Sequence, residues 1–292
     1  AIRPFPQYNV INTGNSGDHS GHSSYHSLIV KVTRRYVANL VIDASYVLSK
    51  MFTDSDSMWG SGKAINHFNR RLEKSLSAAD RTHEAKVNFV YELPVGPRKR
   101  WLNRGVLSRT LGGWRIGATH RYASGTPLAF SGGYGFPLVG NRPYITQYDD
   151  WRAPVAGEKF DPAVDRYFRP PTTAAWSTVG SGPGGVATPR ITQEGWFPLQ
   201  PRDRPGNMTR NNPKMRNFPI FKEDVSLAKT ILLPGKRDTR REVSLRFEAF
   251  NLLNRTQFSN PNTNLNDAAN LGLVRAQANT PRRMQFALKL MF

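Results

Sequence analysis

Apolar and polar residues alternate with a period of two along much of this chain. Ala85, Val87, Phe89, Tyr91 and Leu93 fall on one side of their segment, and Glu84, Lys86, Asn88 and Glu92 on the other. Leu40, Ile42, Ala44, Tyr46 and Leu48 alternate with Val41, Asp43, Ser45, Val47 and Ser49. Val243, Leu245, Phe247 and Ala249 alternate with Ser244, Arg246 and Glu248, and Met284, Phe286, Leu288, Leu290 and Phe292 repeat the pattern. Successive strand side chains point to opposite faces, so each segment predicts a strand with one apolar and one water-facing surface. Helical periodicity is almost absent. The pattern predicts about seven strands, at 25–36, 38–51, 82–93, 113–130, 218–233, 242–257 and 282–292. Most reach the ~9–11 residues with which a tilted strand crosses a bilayer.

The connections alternate in length. Val37, 94–112 and 234–241 are short or moderate; 52–81, 131–217 and 258–281 are long. Transmembrane barrels show that asymmetry, with short turns on the periplasmic side and long loops outside. The expected fold is all-β: a segment of an antiparallel transmembrane β-barrel with long extracellular loops. The connection 131–217 exceeds the ~12–15 residues usual for structureless loops. It is expected to fold back over the barrel mouth, with room for short hairpins of its own.

Composition narrows the alternatives. The 292 residues contain 41 Lys and Arg against 21 Asp and Glu, a net charge of +20, and no Cys. Disulfides, thiolate metal sites and cysteine nucleophiles are thereby excluded. No run approaches the ~18 apolar residues of a membrane-spanning helix, and Ala1–Pro6 lacks the profile of a secretion signal. The positive charge admits a nucleic acid, an anionic membrane surface or phosphate-rich lipid as partner.

Residues 282–292 are expected to form a strand closing on Phe292, and Met284, Phe286, Leu288, Leu290 and Phe292 resemble the C-terminal signal read by the outer-membrane barrel assembly machinery. With Phe292 at the periplasmic end, strand parity makes 1–24 the remnant of an extracellular loop. The expectation is that 1–292 is the C-terminal portion of a longer barrel.

Several segments then carry a family resemblance: Gly21–Leu28, Ala44–Lys50, Tyr91–Gly96, Leu111–Ile116 with Ser124–Pro127, Arg246–Asn254 and Asn279–Leu288. In order and spacing they resemble consecutive barrel strands of TonB-dependent receptors of the Oar-like type. The resemblance implies a plugged barrel of about 22 strands, of which this chain supplies roughly the last third. It also implies a plug domain and a TonB-contacting segment, neither of which is present in 1–292.

Candidate sites are weighed on the same footing. His19, His22 and His26 could share a metal ion, but the Gly/Ser-rich setting, with Asp18 the one carboxylate nearby, favours a solvated loop. Gly180, Gly182 and Gly185 match a dinucleotide pattern that Pro183 interrupts and no helix follows. Thr53–Ser57 offers oxygen ligands for Ca²⁺ without the glycine and distal Glu of an EF-hand. No catalytic constellation is found, so no enzyme activity and no cofactor are expected. Arg98–Arg100 reads as a turn, with Trp101, Trp114, Tyr36 and Tyr91 in an interfacial aromatic girdle. Lys86, Asn88, Glu92, Arg115, Arg121, Arg246 and Glu248, with Lys31, Asp43, Glu84 and Lys289, are expected to line the lumen; Val87, Phe89, Tyr91, Leu245 and Phe247 are expected to face lipid.

The expected role is barrel wall and ligand-binding loops of an outer-membrane, TonB-dependent transporter whose ligand is not identified by the sequence. Expected partners are outer-membrane lipid and lipopolysaccharide, the parent chain's plug and remaining strands, the TonB complex through that parent, and the assembly machinery. The alternatives are a surface adhesin of the same fold and a soluble basic nucleic-acid-binding β protein; nucleic acid is not expected.

Overall fold

The computed structural model of the chain describes residues 21–37, 39–56, 69–97, 99–132, 142–145, 151–169, 176–178, 189–191, 206–233, 241–265, 267 and 269–291. In chain order the strands are β1 (Ser23–Val37), β2 (Leu40–Thr53), β3 (Ser75–Leu76), β4 (His83–Glu92), β5 (Trp114–Ala123) and β6 (Pro127–Leu128). They continue as β7 (Trp176–Thr178), β8 (Pro189–Ile191), β9 (Asn212–Arg216), β10 (Ile220–Leu232), β11 (Glu242–Phe250) and β12 (Arg283–Met291). A 3-10 turn spans Arg70–Glu73 and a helix, α1, spans Gly105–Leu111.

The long strands pair in the order β1-β2-β4-β5-β10-β11-β12, every pairing antiparallel. β3 adds a short pairing to the end of β2. β1 and β12 are the two edges and do not pair with each other, so the described sheet is open. All seven strands expected from the alternation form. Asn39, at φ 63, adopts the left-handed conformation that Asn tolerates and reverses the chain between β1 and β2.

Three expectations need correction. The strand placed at 113–130 ends at Ala123, because Gly125 lies where a Cβ would meet the Asn217 carbonyl oxygen at 1.8 Å. Pro127 and Leu128 then leave the wall and pair with β9 in a separate small sheet. The strand placed at 242–257 ends at Phe250, where Asn251 and Asn254 turn the chain at φ 53 and φ 50. The Asn251 side chain fixes that turn by accepting from the Arg255 N–H at 2.9 Å and donating to the Arg255 carbonyl at 3.0 Å. The connection 94–112, expected as a short or moderate link with no element of its own, contains α1. Within 131–217 a short hairpin does form, β7 with β8.

The buried apolar core does not lie in the sheet. Leu128, Ile145, Tyr167, Phe168, Met208, Met215, Leu265, Leu271 and Val274 build it, all from the connections after β5 and β11. Meanwhile Leu28, Val30, Val32, Phe286, Leu288 and Leu290 on the wall are exposed. A water-soluble sheet would bury that face; this one leaves it as an open surface.

Candidate functional site: a two-faced wall and its loop cap

Register assigns every strand residue to a face. One continuous surface carries Val30, Ala44, Val87, Phe89, Tyr91, Ile116, Val225, Leu227, Leu245, Phe247, Phe286 and Leu288. The other carries Lys31, Asp43, Glu84, Lys86, Asn88, Glu92, Arg115, Arg121, Arg246, Glu248 and Lys289. The residues grouped by the alternation as apolar and as polar therefore fall on opposite faces of the sheet.

The apolar surface is a slanting band. Val30 on β1 and Leu288 on β12 each lie at the centre of their strand's apolar run. The row through Val30 meets β10 at Phe221, and the row through Leu288 meets it at Lys229. The centre of the band thus slides eight residues along the strands, about 26 Å, while crossing six interstrand spacings, about 29 Å. That slope is about 42°, within the ~35–45° by which strands of membrane barrels tilt. Measured from the band's midline, Trp114 and Tyr91 fall about 10 and 8 Å toward the short-connection end, and Tyr122 and Phe221 about 10 and 13 Å toward the long-connection end. Aromatic residues thus flank a band close to the ~25 Å height of a barrel's lipid-facing belt. Of the four aromatics expected in a girdle, Trp114 and Tyr91 lie on the apolar face toward the short-connection end, and Trp101 lies beyond the strand end; the Tyr36 side chain lies outside the described residues.

On the polar face charges pair across and along strands. Glu84 holds both Arg121, at 2.9 Å, and Lys86, at 3.1 Å. Glu92 holds Lys99 at 2.6 Å and Arg115 at 3.1 Å. Lys31 meets Asp43 at 3.3 Å, Lys222 meets Asp224 at 2.8 Å, and Arg246 meets Glu248 at 3.5 Å. Lys86, Arg121 and Lys222 stand side by side in one register row, where like charges repel and the acidic residues of the next rows offset them. A hollow of about 360 Å³ opens beside this row, where Val41, Val90 and Phe250 line it together with Asp43, Asp224 and Glu248. Its floor is Gly117, where a Cβ would meet Ser226 Oγ at 2.7 Å.

The long connections gather at one end as a cap. Tyr167 stacks edge-on against Phe218 and Phe168, with centroids at 4.7 and 5.2 Å, and Phe160 packs against Phe218 and Phe258. Arg152 lies over Trp151 and Tyr167 and donates to the Tyr167 hydroxyl at 3.0 Å. Burial pushes the Tyr167 phenol above its ordinary range. Gly272, at φ 75, comes so close to Phe168 that a Cβ would meet its nitrogen at 2.9 Å, and the Tyr167 N–H donates to the Gly272 carbonyl at 2.9 Å. The connection after β2 joins through ion pairs: Arg142 with Glu73, Arg210 with Asp56 at 3.0 Å, and Arg216 with Asp80 at 2.7 Å. Burial raises the Asp56 carboxyl, but hydrogen bonds from the Ala78 N–H, Asn211 and Ser77, with the charge of Arg210, outweigh it and hold the group below the usual carboxylate range. The Asp161 and Ala156 N–H groups hold Asp165 low as well.

The weaker expectations come apart here. His22 donates its backbone N–H to Asp54 at 2.7 Å. His26 belongs to β1 and not to a loop, opposite Lys50. The two lie about 13 Å apart along the chain, too far to share an ion; His19 and the Gly180–Gly185 stretch lie outside the described residues. Among the described residues no group of three His, Asp or Glu is placed to hold a metal. Asp54 and Asp56, weighed as Ca²⁺ ligands, are instead turned toward His22, Arg70, Arg210 and Asn211. The cap core was not expected from the sequence, although Trp151, Phe160, Tyr167 and Phe168 crowd one short stretch of the long connection and signal it.

Among the described residues no helix is long and apolar enough to cross a membrane; the crossing elements are the strands. A family model described as outer membrane beta barrel domain matches residues 1–285. Neither the curated proteins nor the solved structures give a match. The family match, over nearly the whole length of a chain whose slanting band has the tilt and girdles of a membrane wall, establishes that it belongs to the outer membrane β-barrel domain family and resides in the cell outer membrane.

Proposed function

We propose that this chain is the barrel wall and extracellular loop cap of a TonB-dependent receptor, serving energy-coupled uptake of a ligand. The observation that carries the reading is the packed cap. Long connections that share an apolar core and buried ion pairs at one end of a polar-lined wall form a built surface for capturing a ligand. The charged rows beneath it offer a polar path along the wall.

In this reading the long connections are extracellular and the short ones periplasmic. The unpaired edges of β1 and β12 are met by further strands of the parent chain, because an open edge leaves backbone groups unsatisfied in lipid. The parent also supplies the plug, which meets the charged rows, and the segment that TonB engages. The chain itself makes and breaks no bonds.

The test is retention of the purified periplasmic domain of TonB on the immobilised full-length protein. The reading expects retention, abolished by deleting the segment that precedes the plug. Absence of binding by the full-length protein overturns TonB coupling and favours the surface adhesin.

A further inference from the structure

We infer that α1 and the turn before it form an interfacial anchor, seated on anionic phospholipid headgroups of the leaflet at the short-connection end. The inference rests on the outer-membrane wall and is independent of what the parent protein transports.

The stretch 93–113 contains Arg98, Lys99, Arg100, Arg104 and Arg109 and no acidic residue. Lys99 turns inward to Glu92 and Asn39, whereas Arg100 and Arg104 are exposed. The same stretch also exposes large apolar side chains: Trp101 and Leu102 between these two arginines, and Leu107, Leu111 and, at 78%, Val106 after them. A helix of two turns gains little stability by itself, and the ordinary outcome in water is to bury such side chains.

The helix is also held in a definite place. At Gly112 a Cβ would meet Gly96 Cα and the Ser108 carbonyl oxygen, each at 2.4 Å. This contact clamps the helix against the turn at 94–97 and buries Ser108. Val106, two positions from Ser108, then points away from the clamp. Lys229 Nζ donates to the Thr110 carbonyl and lies 5.0 Å from the centre of the Trp114 ring. Lys229 and Trp114 both belong to the apolar face, so the C-terminal end of α1 sits on the lipid side of the wall. Trp114 is about 10 Å from the midline of a belt whose half-height is about 12.5 Å. The helix that ends just before it therefore lies at headgroup depth. Apolar side chains interleaved with arginines at that depth match an anionic lipid surface: the former enter the acyl boundary while the latter meet phosphates.

The chain contains no Cys, so Val106→Cys in the full-length protein gives a single site for an environment-sensitive fluorophore, and Leu245→Cys a reference site on the wall. Each labelled protein is folded into phosphatidylethanolamine vesicles with or without phosphatidylglycerol, carrying nitroxide lipids of shallow or deep label position. At Val106 the shallow nitroxide should quench about twofold more than the deep one, with little quenching by aqueous iodide, and removal of phosphatidylglycerol should weaken the shallow quenching. The label at Leu245 should respond to the deep nitroxide. Iodide quenching at Val106, or quenching indifferent to phosphatidylglycerol, overturns the anchor while Leu245 still reports the wall. Failure of deep quenching at Leu245 overturns the wall assignment, and the anchor falls with it.

Discussion

Phe89→Arg is the sharpest substitution for the two-faced wall. Phe89 lies on the apolar face, in register with Ile42 and Ala118. On the slope of the band it falls about 3 Å from the midline. An arginine there costs about 2–4 kcal/mol, falling toward ~0–1 kcal/mol near the interfaces. Leu245→Arg lies at the same depth, and a similar loss is expected. In equilibrium terms this is a shift of roughly 30-fold to 900-fold toward the unfolded protein. Lys86→Gln, three residues away on the other face, removes one half-exposed partner of Glu84, which keeps Arg121 at 2.9 Å. Exposed pairs are worth about 0–1 kcal/mol, so this variant should be close to unchanged. The assay is guanidinium-driven unfolding of the full-length protein from phospholipid vesicles, read by tryptophan fluorescence. Equal losses from Phe89→Arg and Lys86→Gln would refute the assignment of faces.

The cap should respond separately from the wall. Phe168→Ala empties a fully buried site and should cost about 3–5 kcal/mol, seen as faster proteolysis of the long connections while the wall stays protected. Glu73→Ala leaves the buried Arg142 without its ion-pair partner and should destabilise the same region by about 3–5 kcal/mol, read by hydrogen exchange over 69–80. Asp56 and Asp165 titrate below their ordinary range in the folded cap. Their contribution is therefore complete above the unfolded carboxylate value near ~4 and is lost as pH falls through the lower folded values. Hydrogen exchange of the cap should be flat from pH 8 to 5, after correction for intrinsic rates, and should rise sharply below pH ~4.

The wall was legible because its information is local. In β4 and β11 each residue announces its face by parity, and the register only confirmed where Lys86 or Phe247 would point. The tilt was not legible: it emerges when Val30 and Leu288 are related through five intervening strands, and no single segment carries that relation. Strand ends misled where alternation outruns the backbone. Thr126, Pro127 and Leu128 continue the pattern of β5, yet the close approach of Gly125 to Asn217 has already turned the chain. Helix α1 escaped because seven residues with Val106, Leu107 and Leu111 as apolar positions are too few to show a helical period. The cap core escaped for a different reason: Phe168 and Met215 are apolar without periodicity, and their burial depends on partners such as Leu271 and Val274, far away in sequence.

The central claim is tested most directly by cysteine accessibility along β11. Single Cys substitutions at Val243 through Phe250 in the full-length protein, folded into vesicles, are challenged with a membrane-impermeant maleimide and a lipid-dissolved one. The account predicts a period of two, with Val243, Leu245 and Phe247 reached from lipid, Ser244, Arg246 and Glu248 reached from water, and the buried Ala249 reached from neither. Uniform reactivity along the strand, or water access at the apolar positions, would contradict it.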